Sequence, residues 1–298
     1  MITNIAGIDE AAERFQINAY LFADWRDPRL QHPPKPGGLP VSYRPGEIWH
    51  PQAEFVNAVR PHERQDISLA AEADGTVHYV ERLDAELSSK FFLRSFPFDS
   101  QTLQIVIHPF ASEARYVTYT VDRARSSTAS EFNAYSSLAD WKVTGMTPVE
   151  SIVRSVNGGE VSEVRFEIKA VRQYEFYIWK IFLPLFLMVM LSWTVFWMDP
   201  FDLKNQIQVA VVTLLTVIAF ALAISSSLPK VPYLTFSDAF FLTCYIFVFI
   251  SIIELMTVHV THRRRGKDFG LRIRRVSRWL VPLGFCLTLA VIAFRFLT

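Results

Sequence analysis

Four runs of apolar residues, 177–197, 207–224, 239–258 and 279–297, fill the second part of this 298-residue chain. An α-helix rises about 1.5 Å per residue, so about 20 apolar residues cross the ~30 Å of hydrocarbon in a bilayer. Runs of this length read as four membrane spans. The chain is 51% hydrophobic, with 25 Phe and 7 Trp, and the uneven spread of those residues decides the reading more than their total.

Charge is also uneven. The formal net charge is +1, but residues 1–176 hold 18 Lys+Arg against 24 Asp+Glu, and residues 177–298 hold 12 against 5. Most of the basic excess falls in 262–278, where Arg263, Arg264, Arg265, Lys267, Arg272, Arg274, Arg275 and Arg278 face Asp268 alone. Short connections rich in Lys and Arg stay cytoplasmic. The spacing therefore predicts an inner loop over 262–278 in a cell (inner) membrane, with the N-terminal part, the 225–236 connection and the C-terminus outside, in the periplasm. A basic patch between two spans points to anionic membrane lipid, and no nucleic-acid partner is expected. An exported N-terminal part needs a secretion signal, and 1–10 has no charged start followed by an apolar stretch. The chain is expected to be mature or truncated, beginning within a first strand over 2–6.

Cys244 and Cys286 both lie in apolar runs, so the exported part has no disulfide and must be held by its own core. No metal-ligand spacing appears among the Cys and His residues, and no cofactor is implied.

The first 176 residues alternate with period two. Phe15, Ile17, Ala19, Leu21, Ala23 and Trp25 share one face. Leu103, Ile105 and Ile107 repeat the pattern, as do Val164, Phe166 and Ile168. Strands with one buried face read this way. Asp74-Gly75 and Asn157-Gly158-Gly159 mark turns, 27–51 reads as a long Pro-rich loop, and 8–14 as a short helix. The expected fold is an all-β sandwich over 1–176, followed by an all-α four-helix transmembrane bundle over 177–298. The boundary falls at Arg172-Gln173-Tyr174 with no flexible linker.

The second apolar run is the most polar. Spacings of three and four align Gln208, Val212, Leu215, Ala219, Leu222 and Ser226 on one helical face. Such a stripe is often no more than the packing face of a bundle helix. Gln208 favours the alternative, because an amide within a membrane wants a partner or water. A ring of these helices would enclose an aqueous path with an apolar constriction at Leu215. Lys180 and Arg295 lie near span ends and can snorkel. Glu254, with His259 five residues on, can pair within the bundle or titrate. Pro184 and Pro282 are expected to kink their helices.

Phe96-Pro97-Phe98-Asp99-Ser100-Gln101, Trp49-x-Pro51, Trp25, Arg172, Pro184, Trp193, Trp197 and Leu228-Pro229-Lys230-x-Pro232-Tyr233 occur here in order. In these residues the chain resembles the prokaryotic branch of the pentameric ligand-gated ion channels, the Cys-loop receptor superfamily. Animal members have cysteines flanking the signature loop; Ser89 and Leu103 occupy those positions here.

The resemblance implies identical subunits in a homopentamer, with the second spans lining a pore that passes monovalent cations. Asp202, Lys204 and Asn205 then sit at the inner mouth, where cation-selective relatives usually carry Glu; the Pro-Ala-Arg insertion of anion-selective members is also absent. A small-molecule agonist would bind between neighbouring sandwiches. Glu54, Asn57, Glu131 and Phe132 would come from one subunit and Tyr20 from its neighbour, with the hairpin near Asn157 as a cap. A carboxylate beside aromatic rings suits an ammonium ligand, whereas a solvated strand residue is the plain alternative for Glu54. Coupling to the pore would run through Asp9, Glu10, Phe98, Asp99, Arg172, Pro229, Lys230 and Pro232, with Arg172 ion-paired to Asp99 and sharing Asp9 or Glu10. Glu13 and His259 match positions of a proton-gated member of the family, and Glu254 is a further candidate pH sensor. Two other readings stand beside this one: an anion-selective channel of the same family, and a non-conducting membrane-anchored sensor. An enzyme is not expected, because no nucleophile motif, carboxylate pair or phosphate loop appears.

Overall fold

The computed structural model describes residues 2–34, 38–61, 63–110, 112–123, 138–155, 158–199, 202–224, 230–265 and 267–297, except for the side chains at 2–3, 63–65, 265 and 267–268. These residues divide into two compact units. One holds Met1–Phe91 and Ser100–Arg172; the other holds Phe92–Asp99 and Gln173–Thr298.

The first unit is a sandwich of two antiparallel sheets. Strands β1 (Ile2–Asp9), β2 (Arg14–Arg26), β3 (Val41–Tyr43), β5 (Glu63–Ala71) and β6 (Thr76–Ser88) form one sheet, in the order β1-β2-β6-β5-β3. The other contains β4 (Ala53–Phe55), β7 (Ser100–Pro109), β8 (Trp141–Arg154) and β9 (Glu160–Arg172), in the order β4-β7-β9-β8. The alternation seen in the sequence sets which face is buried. Phe15, Ile17, Leu83 and Leu87 from one sheet, and Leu103, Ile105, Ile107 and Ile168 from the other, are nearly inaccessible. Pro148 has no N–H to give a ladder, and it lies on β8, an edge strand. At the β5–β6 turn a Cβ on Gly75 would lie 2.6 Å from the Asp27 carbonyl oxygen, and φ is +87°. Only glycine fits there.

Two local expectations change. Residues 8–14 form a tight hairpin, not a helix: Asp9 pairs with Arg14, the Ala12 N–H donates to Asp9 Oδ1 at 2.9 Å, and Glu13 takes a φ of 54°. An acidic side chain that closes its own turn outcompetes the weak helical tendency of so short a segment. The 27–51 segment is not all loop either. It holds the 3-10 turn Pro28–Leu30 and strand β3, which pairs with β5.

The second unit has four helices long and apolar enough to cross a membrane. They are α1 (Glu175–Trp197), α2 (Leu203–Ile224), α3 (Phe236–Arg265) and α4 (Lys267–Leu297). Within α1 the turn Ile178–Phe182 is π-helical. Pro184 explains this: it lacks an N–H, and its ring would crowd the carbonyl four residues earlier, so the turn before it widens. Leu185, Val189, Trp193 and Phe196 of α1 pack with Val217, Phe240, Cys244, Val248 and Phe285 of the other helices. Many other apolar side chains stay exposed, Leu222, Leu283 and Leu287 among them. Lipid or neighbouring chains would cover such faces in a membrane.

The described residues of the basic segment, 262–265 and 267–278, are helical rather than a loop: α3 runs to Arg265, and α4 begins at Lys267. Arg and Lys are good helix formers, so the end of an apolar run marks the end of the hydrocarbon rather than of the helix. Arg274 is buried instead of solvated. It donates to the carbonyls of Val195 and Phe196, the latter at 3.1 Å, and Arg278 donates to Phe196 at 3.1 Å. These carbonyls lie in the closing turn of α1, and cations are favoured at a helix C-terminus.

Candidate functional site

The second helix shows two distinct faces. Gln206, Ala210, Thr213 and Val217 are buried against the bundle. Gln208, Val212, Leu215, Ala219 and Leu222 are exposed. At about 100° per residue the two stripes lie on roughly opposite sides of the helix. The difference is large: Val217 is 0% accessible, Leu215 60% and Leu222 69%. The single chain thus leaves the predicted stripe uncovered, while the opposite stripe makes the bundle contacts. The buried amide is Gln206, whose Nε2 donates to the Asp199 carbonyl, and not Gln208. Thr213 and Thr216 return their hydroxyls to carbonyls one turn back, at 2.8 Å each. Ser226 lies outside the described residues.

Asp202 caps α2. Its Oδ1 accepts from the Asn205 N–H at 3.3 Å, and a carboxylate is favoured at a helix N-terminus. Lys204 and Asn205 are exposed beside it.

Phe92–Asp99 leaves the sandwich between β6 and β7 and belongs to the helical unit. The ring of Phe98 lies 5.2 Å from Tyr174, 5.3 Å from Phe236 and 6.3 Å from Phe182. Around it the backbone is tied down. Phe236 N–H donates to the Arg94 carbonyl at 2.9 Å, Ser237 Oγ to the Phe96 carbonyl at 3.1 Å, and Ser95 Oγ to the Phe296 carbonyl at 2.6 Å. The Leu93 N–H donates to Tyr233 Oη at 3.0 Å. The loop is therefore fastened to the start of α3 and to the last turn of α4. Helix α3 starts with a reciprocal cap, in which Thr235 Oγ1 donates to Asp238 Oδ2 at 2.7 Å while the Asp238 N–H donates back at 3.2 Å. Thr-x-x-Asp before an apolar run was a sequence signal for this start. Asp99 is buried, and Lys230 and Pro232 are exposed. Pro229 lies outside the described residues.

In the sandwich, Arg172 ends β9 and is almost fully buried. Its Nη1 donates to Glu10 Oε1 at 2.8 Å, and its guanidinium sits 4.1 Å from the centre of the Trp141 ring. Of the two hairpin acids expected to share it, Glu10 is the one hydrogen-bonded to it. The carboxylate of Asp9 instead closes the hairpin turn. Trp141 was not singled out in the sequence, where only a planar cation near an aromatic residue could have suggested the stacking. Glu13 is exposed on the hairpin, and its carbonyl accepts from the Ser89 N–H at 3.0 Å.

The expected ligand residues fare differently. Tyr20 lies on β2, with its ring 6.3 Å from that of Phe22. Glu54 is exposed on β4, opposite His108. Asn57 is a bracket between strands: its Nδ2 donates to the carbonyls of Ser88 at 2.8 Å and Gln104 at 2.6 Å, and its Oδ1 accepts from the Val106 N–H at 3.1 Å. Both amide hydrogens are engaged, so Asn57 has no donor left for a ligand. Glu131, Phe132 and Asn157 lie outside the described residues.

Next to Glu54's strand is a cluster that the sequence did not reveal. His108 Nε2 lies 2.9 Å from Glu163 Oε2, Arg165 Nη2 donates to Glu163 Oε1 at 2.5 Å, and Ser151 Oγ to the same oxygen at 3.4 Å. Burial alone would raise the pKa of Glu163, but the hydrogen bonds from His108 and Arg165 outweigh it and hold the carboxyl below its ordinary value. In the helical unit Glu254 is buried beside Arg274 of α4, so the charge that compensates it comes from another helix. His259, on the same helix as Glu254, is half-buried. Among the described residues no group of three or more His, Cys, Asp or Glu is placed to hold a metal ion.

The chain matches two family profiles. Residues 1–174 match the neurotransmitter-gated ion-channel ligand binding domain, and residues 181–288 match the neurotransmitter-gated ion-channel transmembrane region. Among similar proteins is a proton-gated ion channel of Gloeobacter violaceus, 31% identical over 97% of this chain and 79% of its own length. A gamma-aminobutyric acid receptor subunit beta of Caenorhabditis elegans is 26% identical over 91% of this chain and 50% of its own length. A glutamate-gated chloride channel subunit beta of Haemonchus contortus is 24% identical over 90% of this chain and 64% of its own length.

Proposed function

The chain belongs to the neurotransmitter-gated ion-channel family, and we propose that five copies assemble into a cation channel opened by a small extracellular ligand or by a change in extracellular pH. It is a multi-pass membrane protein of a channel family, not an enzyme family. The observation that carries the pore assignment is the two-faced second helix. Its buried stripe satisfies the bundle, leaving Gln208, Val212, Leu215, Ala219 and Leu222 for an aqueous path. Gln208 wets one end, and Leu215 supplies the apolar constriction that dries in the closed state. The bilayer orientation follows the basic 262–278 segment, placed inside.

Opening is a shift between two packings. The loop Phe92–Asp99 carries it. This loop is continuous with β6 and β7, yet its hydrogen bonds hold the first turn of α3 and the last turn of α4. Movement of those strands therefore pulls directly on helix ends. Arg172 with Glu10, together with Phe98, Asp99, Lys230, Pro229 and Pro232, forms the coupling set.

For the trigger, Glu54 on one subunit and Tyr20 on its neighbour suit an ammonium group. Glu13, Glu254 and His259 are the candidate proton acceptors, and the relation to a proton-gated channel supports that route. The excess of Asp+Glu over Lys+Arg in residues 1–176 concentrates cations at the outer entrance. Exposed Lys204, and the relation to a chloride channel, favour the anion-selective alternative.

One recording decides among these. Purified protein in a bilayer is exposed to an amine series and a pH series, and the reversal potential is read in a NaCl gradient. Current reversing near the sodium potential supports the cation channel, and reversal near the chloride potential supports the alternative. No current under any condition supports the non-conducting sensor.

A further inference from the structure

Between the sheets of the sandwich lies a cavity of about 690 Å³. Protein interiors hold few voids larger than a water molecule, and small-molecule sites run to about 300–1,000 Å³. The walls come from both sheets and include Leu21, Trp25, Ile107, Met146, Phe166 and Tyr119. The charged lining residues Asp24, Arg26 and Asp122 are exposed, at the rim.

Two buried donors belong to residues of this lining, which also includes Tyr20, Thr118 and Thr120. Trp25 Nε1 and Tyr119 Oη are both buried, and neither has a hydrogen-bond partner among the described residues. Both belong to side chains held in place. The Trp25 ring makes an edge-on contact with Trp49 at 6.0 Å, and the Tyr119 N–H donates to Ser162 Oγ at 2.9 Å. Burial pushes the Tyr119 phenol up to about 12, so its O–H stays protonated and available as a donor. An unpaired buried donor is unfavourable.

We infer that this cavity is a second ligand site, lying between the sheets of one subunit, for a small uncharged molecule that is apolar over most of its surface and carries an acceptor oxygen such as a ketone. The apolar body fills the space between the sheets, and the oxygen accepts from Trp25 or Tyr119.

Benzophenone is a suitable probe, being a diaryl ketone that inserts into nearby C–H bonds under long-wave ultraviolet light. The full-length channel is irradiated with it in detergent, and the adducts are mapped by mass spectrometry. The expected result is saturable labelling of peptides containing Trp25 or Met146. Ala23→Phe adds a ring on the cavity wall and is expected to reduce that labelling at least about tenfold. Tyr119→Phe removes one donor at nearly constant volume, and Trp25→Phe removes the other together with part of the indole. Each is expected to raise the half-saturating benzophenone concentration about fivefold, the effect of one neutral hydrogen bond, and Tyr119→Phe is expected to leave competition by diphenylmethane, which has no oxygen, unchanged. Should Ala23→Phe fail to assemble, this last pair of variants decides. Adducts confined to 175–297, labelling that does not saturate, or benzophenone half-saturation unaltered by both donor deletions would each overturn the site.

Discussion

Arg172 donates to Glu10 across 2.8 Å at the last residue of the sandwich unit. The guanidinium also covers Trp141 at 4.1 Å, so the β1–β2 hairpin, the start of β8 and the end of β9 meet on one side chain. The next residue, Gln173, belongs to the helical unit. Arg172→Ala removes this junction and leaves the Glu10 carboxylate without that donor, a destabilisation of about 1–3 kcal/mol. The expected outcome is loss of agonist-evoked current with pentamers still recovered, read as current per surface-labelled channel. A wild-type dose response in this variant rejects the coupling role.

The two faces of α2 should answer differently to truncation. Leu215→Ala widens the proposed constriction, which eases wetting and moves activation to lower agonist concentration. Val217→Ala opens a cavity in the bundle, at about 1–3 kcal/mol, and should lower the melting temperature instead. Dose-response curves and thermal unfolding of both variants check this. Equal behaviour of the two positions contradicts the assignment of faces.

Glu54 and Asn57 are three residues apart and should separate in the same way. Glu54→Gln keeps the fold and should weaken an ammonium agonist about tenfold or more, the scale of one charge-assisted contact. Asn57→Ala removes three hydrogen bonds between strands, and about 2–3 kcal/mol of sandwich stability. An unchanged melting temperature for Asn57→Ala would return that residue to the ligand site.

Acid should loosen the sandwich through Glu163. Its pKa is lower when folded than when unfolded, so its contribution is present above the ordinary glutamate pKa and is lost as pH falls through the lowered folded value. His108 and Arg165 face it, with Ser151 at 3.4 Å. Glu163→Gln should lower stability at neutral pH by about 1–3 kcal/mol and flatten the acid limb of a melting-temperature profile. A parallel downward shift with the acid slope intact would place the acid response elsewhere.

The sandwich and the helices were legible because burial imposes a period: two for Phe15 to Trp25, and three to four for Gln208 to Leu222. What stayed hidden depends on contacts between residues distant in sequence. No local pattern joins His108 to Glu163, 55 positions apart, or Arg274 to Val195, 79 apart. Hydropathy placed Arg274 in a loop because composition reports the surrounding medium, not the backbone. Asn57 looked like a ligand residue from its neighbours Trp49 and Pro51; its real partners are carbonyls on β6 and β7. The hairpin at 8–14 was missed because the side chain that closes it, Asp9, also suits a helix start.

Cysteine accessibility along α2 tests the pore most directly. In a background with Cys286→Ser (Cys244 is buried), single cysteines replace Gln208, Val212, Leu215 and Leu222 on one face, and Ala210 and Val217 on the other. A charged, water-soluble thiol reagent is applied while current is recorded from activated channels. Block at the first four positions and none at the last two is the expected result. Block at Ala210 and Val217 alone, or an unaltered current with every cysteine modified, would mean that ions do not pass along this face of α2.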